Sequence, residues 1–197
     1  MSIVKSKFGT SKDGHEVTKY TLKNKNGMEV SFIDLGAVIT NIIVPDRDGV
    51  FEDIVSGYGE VAPYEVNMPS FGAPIGRYAN RISGAKFVLN NKEYQLDQND
   101  STNCLHGGFL RYNCCMYSVK CEEFEEEDKI IFSRHSPDGE QGFPGNLDYS
   151  ITYILDDDDE LIIGYQAVCD SDTIVNFTNH SYFNLGKGGH KCPDVLN

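Results

Sequence analysis

Tyr149-Ser150-Ile151-Thr152-Tyr153-Ile154-Leu155 and Leu161-Ile162-Ile163-Gly164-Tyr165-Gln166-Ala167-Val168 flank the acidic run Asp156-Asp157-Asp158-Asp159-Glu160. In the first stretch the odd positions are apolar, the period of two that a half-buried strand requires. Adjacent carboxylates repel one another and stay in water, so the run between the two strands reads as the charged tip of a β-hairpin. A calcium loop is the other reading of such a tip, but the glycine-punctuated alternation of an EF-hand is missing.

The same period recurs on both sides of this hairpin, at 30–33, 85–89, 116–119 and 130–132. Asn24-Lys25-Asn26-Gly27 and Asn90-Asn91 supply turn chemistry between such runs. A second acidic run, Glu122-Glu123-Phe124-Glu125-Glu126-Glu127-Asp128, reads as another solvated tip. Helix signals are poor; the candidate at 58–64 has Glu60 and Pro63 against it. Many short strands at near-regular spacing predict an all-β sandwich. With no linker, repeat or low-complexity segment, residues 1–197 read as one domain.

Composition narrows the function classes. The chain is 197 residues long and 40% hydrophobic, with a mean hydropathy of −0.38, as expected of a soluble globular domain. No apolar run approaches the roughly 18 residues of a membrane span. Met1-Ser2-Ile3-Val4-Lys5-Ser6-Lys7 lacks the apolar centre of a signal peptide, so a cytoplasmic location is expected. The formal net charge of −13 and pI near 4.7 argue against nucleic acid as a partner. The six cysteines include no Cys-x-x-Cys pair, so reduced thiols are expected, with Cys114 and Cys115 pointing to opposite faces of a strand. No metal or redox cofactor is signalled.

Two histidines stand among hydrogen-bonding neighbours at the ends of apolar runs, in Leu105-His106-Gly107-Gly108 and Thr178-Asn179-His180-Ser181-Tyr182-Phe183-Asn184-Leu185. Imidazole, with an unperturbed pKa of about 6.5, exchanges protons near neutral pH. A histidine beside a strand is also commonly structural. Together with Gly76-Arg77-Tyr78-Ala79-Asn80-Arg81-Ile82 and Ser136-Pro137-Asp138-Gly139-Glu140-Gln141-Gly142-Phe143-Pro144-Gly145, these motifs occur in an order that resembles the signature series of the aldose 1-epimerase, or galactose mutarotase, family.

The resemblance implies a large twisted double-sheet fold, the supersandwich, with a neutral aldohexose in an open cleft as the small-molecule partner. It implies that His180 is the acid that protonates the ring oxygen, at least partly as imidazolium. His106, Asn80 and Arg81 would bind sugar oxygens, with Ser181 and Tyr182 beside them. Alternation along a strand puts Tyr182 on the face of His180 and Ser181 on the other, and Tyr182 reads equally as core. The segment 136–145 is a rigid connection or a sugar contact. His15, His135, His190, Arg77 and Arg134 match no defended family position.

Two departures stand out. The stretch after Gly108 lacks the tryptophan of the family, and the chain has no Trp at all. Family members also continue past the position of Asn197, and no acidic residue here matches their catalytic base. The chain therefore reads as an incomplete domain, inactive alone, with strand edges left unpaired. The alternatives are a hexose-phosphate epimerase of related fold, which needs a further arginine in the cleft, and a non-catalytic sugar-binding module. The oligomeric state is open, a monomer being the default.

Overall fold

The structure, a computed structural model, describes residues 2–123 and 127–186. His190 and the last eleven residues of the chain lie outside them, as does the tip of the run at 122–128. Five strands follow one another as antiparallel neighbours: β1 (Ser2–Thr10), β2 (Glu16–Lys23), β3 (Glu29–Ile33), β4 (Val38–Pro45) and β5 (Phe51–Asp53). The turn between β2 and β3 is closed by Asn24, whose Oδ1 accepts the N–H groups of Asn26 and Met28 at 3.1 and 2.9 Å. The expected helix shrinks to α1 (Val61–Tyr64), a single turn with no side-chain cap. Pro63 lacks an N–H, so it fits a first turn and little more.

Short pieces then build the middle of the molecule: β6 (Pro74–Ile75), β7 (Arg81–Ile82), β8 (Lys86–Leu89), β9 (Lys92–Gln95) and β10 (Cys104–Leu105). β8 and β9 form a hairpin through Asn90 and Asn91, both left-handed with φ of 52° and 61°. Such a pair of positive φ values is what a two-residue hairpin turn needs, and asparagine tolerates it. The second sheet is β11 (Ser118–Glu123), β12 (Glu127–Ser136), β13 (Leu147–Asp156) and β14 (Leu161–Cys169), in sequence order and antiparallel throughout. β15 (Thr178–Asn179) returns to pair with β6. Cys114 lies in a 3-10 turn, Tyr112–Cys114, and Cys115 follows it, so the expected strand geometry of that pair does not hold.

The two sheets pack face to face. Tyr20, Leu22, Val30, Phe32 and Ile39 of the first meet Ile130, Phe132, Ile151, Tyr153 and Leu155 of the second, all buried. Phe32 and Tyr153 rings lie 4.4 Å apart, and the Tyr153 hydroxyl donates to the Ala37 carbonyl at 2.9 Å. β3 is buried on both faces, because Ile33 also packs with Val17, Val38, Tyr64 and Ile75 in a second apolar cluster. The acidic tip is received by the β2–β3 turn. Asn24 and Asn26 amides donate to the carbonyls of Asp156 and Asp157 at 2.9 and 2.8 Å, and Lys25 pairs with Asp157 at 2.6 Å.

Arg77 is 1% exposed and works as a staple. Its Nη1 donates to the carbonyls of Pro144 and Gly145 at 2.7 and 3.1 Å, and its Nη2 to Ser136 Oγ at 2.7 Å. The guanidinium also lies over the Phe143 ring, 5.7 Å from its centroid. A planar fork of donors suits several carbonyls at once. The segment 136–145 is thereby fixed as a rigid connection, with Glu140 held by Arg134 and Ser136. Burial alone would raise the Glu140 carboxyl, but those donors and the two arginine charges hold it below its ordinary value.

Candidate active site: a histidine pair between strand ends

β7 and β10 run antiparallel with Leu105 opposite Arg81, so the residues just beyond them, Asn80 and His106, also face each other. The His106 N–H donates to the Asn80 carbonyl at 3.0 Å, and the Asn80 N–H donates to His106 Nδ1 at 3.1 Å. Both residues are left-handed, with φ of 63° and 54°. Gly107 follows at φ 86°, and a Cβ there would stand 2.2 Å from the Gly76 carbonyl oxygen. Only glycine lets the turn approach the 76–77 backbone so closely. Asn99 holds the same turn from outside, its amide donating to the carbonyls of Leu105 and Gly108 at 2.8 and 2.7 Å.

β15 delivers the second histidine. Its pairing with β6 continues in the His180 N–H, which donates to the Ala73 carbonyl at 2.8 Å. The His106 and His180 rings are 5.4 Å apart and nearly perpendicular, at 87°. Tyr182 stands 5.2 Å from His180 and is 45% exposed, so it lines the site rather than the core. Phe71 packs edge-on against Tyr182 at 5.3 Å. The Ser181 hydroxyl instead donates to Asn179 Oδ1 at 2.7 Å.

The surroundings of His106 fix its tautomer and its charge. Nδ1 of His106 is an acceptor, so the neutral ring carries its proton on Nε2 and is a donor there. Burial, then the charges of His180, Arg111 and Arg81, push the His106 pKa down to about 4. It is a neutral imidazole at pH 7. Among the described residues no carboxylate forms an ion pair with His180. Arg81 is exposed, and its Nε donates to Asp100 at 2.7 Å. Arg111 donates to the Met68 carbonyl at 3.1 Å and borders a cavity of about 490 Å³ with Met68, Phe109 and Leu110. A separate hollow of about 410 Å³ lies on the second sheet at Ser133, His135, Asp148 and Gln166 and includes neither His106 nor His180. No group of three His, Cys, Asp or Glu among the described residues is arranged to hold a metal ion.

Five of the six expected site residues thus converge: Asn80, Arg81, His106, His180 and Tyr182. Ser181 is next to them in sequence but turned to Asn179. Phe71, Asn99, Asp100 and Arg111 complete the surroundings and carry no sequence signal of their own.

Residues 18–195 match the family model described as aldose 1-epimerase. The chain belongs to the aldose 1-epimerase family. Galactose mutarotase of Rattus norvegicus is 39% identical over 196 residues, covering 99% of this chain and 55% of that protein. Aldose 1-epimerase of Haemophilus influenzae is 42% identical over 177 residues, covering 88% of this chain and 49% of that protein. The crystal structure of galactose 1-epimerase from Lactobacillus acidophilus superposes with a TM-score of 0.83 at 29% identity, covering 94% of this chain and 54% of that one. This aldose 1-epimerase family chain therefore spans about half the length of the curated relatives it matches. Its strand-rich architecture is that of the galactose epimerase structures. No helix among its described residues is long and apolar enough to cross a membrane.

Proposed function

We propose that the histidine pair is the proton-donating and hydroxyl-binding half of a mutarotase site for a neutral aldohexose. The observation that carries this reading is that two strand ends bring the imidazoles of His106 and His180 to 5.4 Å, with His106 held neutral. His106, neutral with its proton on Nε2, is the ring that donates a hydrogen bond and keeps its proton. His180 stands beside it on the end of β15 and is taken here as the ring that gives one up. In this reading His180 protonates the ring oxygen while a base removes the proton of the anomeric hydroxyl. The ring opens to the aldehyde, the C1–C2 bond rotates, and closure presents either face. Asn80, Arg81 and Tyr182 hold hydroxyls around the opening ring. We assign the base to no acidic residue of this chain, and so read it as binding the sugar without turning it over.

The test uses polarimetry on a chain carried to the full length of the relatives. His180→Asn should lower kcat by about 10²–10⁴ with sugar affinity kept within several-fold, the contribution of general acid catalysis. His106→Ala should raise KM as well. An unchanged rotation rate in His180→Asn removes His180 from the mechanism. The 197-residue chain itself should show saturation-transfer contacts to galactose and leave its mutarotation at the buffer rate.

A second reading, a hexose-phosphate site, is favoured by one observation. Arg77 is buried and committed, but Arg111 keeps free nitrogens close enough to His106 to lower its pKa. A preference for a 6-phosphate over the free hexose would establish it.

A further inference from the structure

His106, Gly107 and Gly108 are three consecutive residues with positive φ, at 54°, 86° and 118°. The two glycines adopt such values readily. A residue with a Cβ does not, and it stays in the left-handed region only where its surroundings over-determine it. The strain of the run therefore falls on His106. Backbone and ring are anchored to the same partner, since the His106 N–H meets the Asn80 carbonyl and Nδ1 meets the Asn80 N–H. A turn that relaxed toward negative φ would carry the ring away from that N–H. The turn's own closing bond, from the Gly108 N–H to the Leu105 carbonyl, is long at 3.2 Å.

One side chain straddles the run. Asn99 Oδ1 accepts the Leu105 N–H at 2.6 Å, and its Nδ2 donates to the carbonyls of Leu105 and Gly108 at 2.8 and 2.7 Å. The residue before the run and the residue that ends it are thus tied to a single amide. Its neighbours in the chain act elsewhere: Asp97 accepts the Phe109 N–H at 3.3 Å, beyond the run, and Asp100 accepts from Arg81. The three bonds need an acceptor and two donors on one short side chain, which a carboxylate or a hydroxyl does not supply.

We propose that Asn99 is the positioning residue for His106: by closing both ends of the left-handed run it keeps the imidazole on the Asn80 N–H and so sets the tautomer that meets the sugar. The role of the ring rests on the reading of His106 as a sugar-binding group. Asn99 itself bonds to backbone at 105 and 108, so it acts through His106.

The test uses the chain carried to the full length of the relatives. With nitrogen-15 in the histidines, ring shifts of the unmodified protein should show His106 as one tautomer, Nδ1 bare and Nε2 protonated. In Asn99→Ala the two tautomers should exchange. Asn99→Asp keeps the shape and the acceptor for the Leu105 N–H, and by losing the donors it should give the same spectrum in a folded chain. In polarimetry Asn99→Ala should raise KM for galactose about tenfold with kcat within about threefold, and adding it to His106→Ala should raise KM no further. A merely structural loosening would add to the effect of His106→Ala instead.

An unchanged His106 tautomer in both Asn99 variants overturns the proposal. So do a KM raised by His106→Ala and unmoved by Asn99→Ala, a double variant worse than His106→Ala, or an Asn99→Asp chain that does not fold. A mixed tautomer in the Asn99 variants, with KM unmoved there and in His106→Ala alike, upholds the positioning of the ring and removes His106 from sugar binding.

Discussion

His106 is held in one state by two independent causes. The Asn80 N–H occupies Nδ1, which fixes where the neutral ring keeps its proton, and burial, with the charges around it, keeps the ring neutral. The consequence for pH follows from the direction of the shift. Below about pH 6.5 the unfolded chain takes up a proton on this imidazole, while the folded chain refuses it until about pH 4. The contribution to stability is complete above 6.5 and is lost as pH falls toward 4. A histidine C–H titration should place the His106 midpoint near 4, and His106→Asn should flatten the fall in melting temperature between pH 6.5 and 4. A midpoint above 6.5 would contradict the burial and the Nδ1 contact together. Sequence reading reached both histidines, because the motifs around them are local. It did not reach the contact that sets the tautomer, which joins Asn80 to a residue 26 positions away through two left-handed turns.

At the scale of elements, period-two runs were legible where a strand has one wet face. The hairpin of β13 and β14 emerges with its acidic turn where alternation puts it. Legibility failed for β6, β7, β10 and β15, which are two residues each and leave no period to read. These are the pieces that carry the site. Arg77 shows the same limit. Its charge suggests surface or ligand, yet its donors are used on a connection some 60 to 70 positions onward. Replacing it with Met would leave the carbonyls of Pro144 and Gly145 and the Ser136 hydroxyl without that donor, at about 1–3 kcal/mol for each buried group left unmade. Arg77→Met should therefore lose at least about 3 kcal/mol in urea unfolding and open the 136–145 segment to proteases. A loss below about 1 kcal/mol would mean that the connection is held by its own turns.

For the whole molecule, the grip of Asn24 and Asn26 on the Asp156–Asp159 tip has a kinetic meaning. Each sheet is a meander of neighbouring hairpins, so its internal contacts are short in sequence and form early. The corner that joins the sheets closes a loop of 132 residues between Asn24 and Asp156. Loop-closure entropy grows with separation, and proteins rich in such distant contacts fold slowly. The two meanders should then form first and the corner latch last. Asn24→Ala is expected to speed unfolding while leaving the folding limb of the chevron nearly unmoved, a φ-value near zero. A φ-value near one would instead make the latch the nucleus. Either sheet is then a unit that a ribosome could release in sequence order, each already folded before the corner between them is latched.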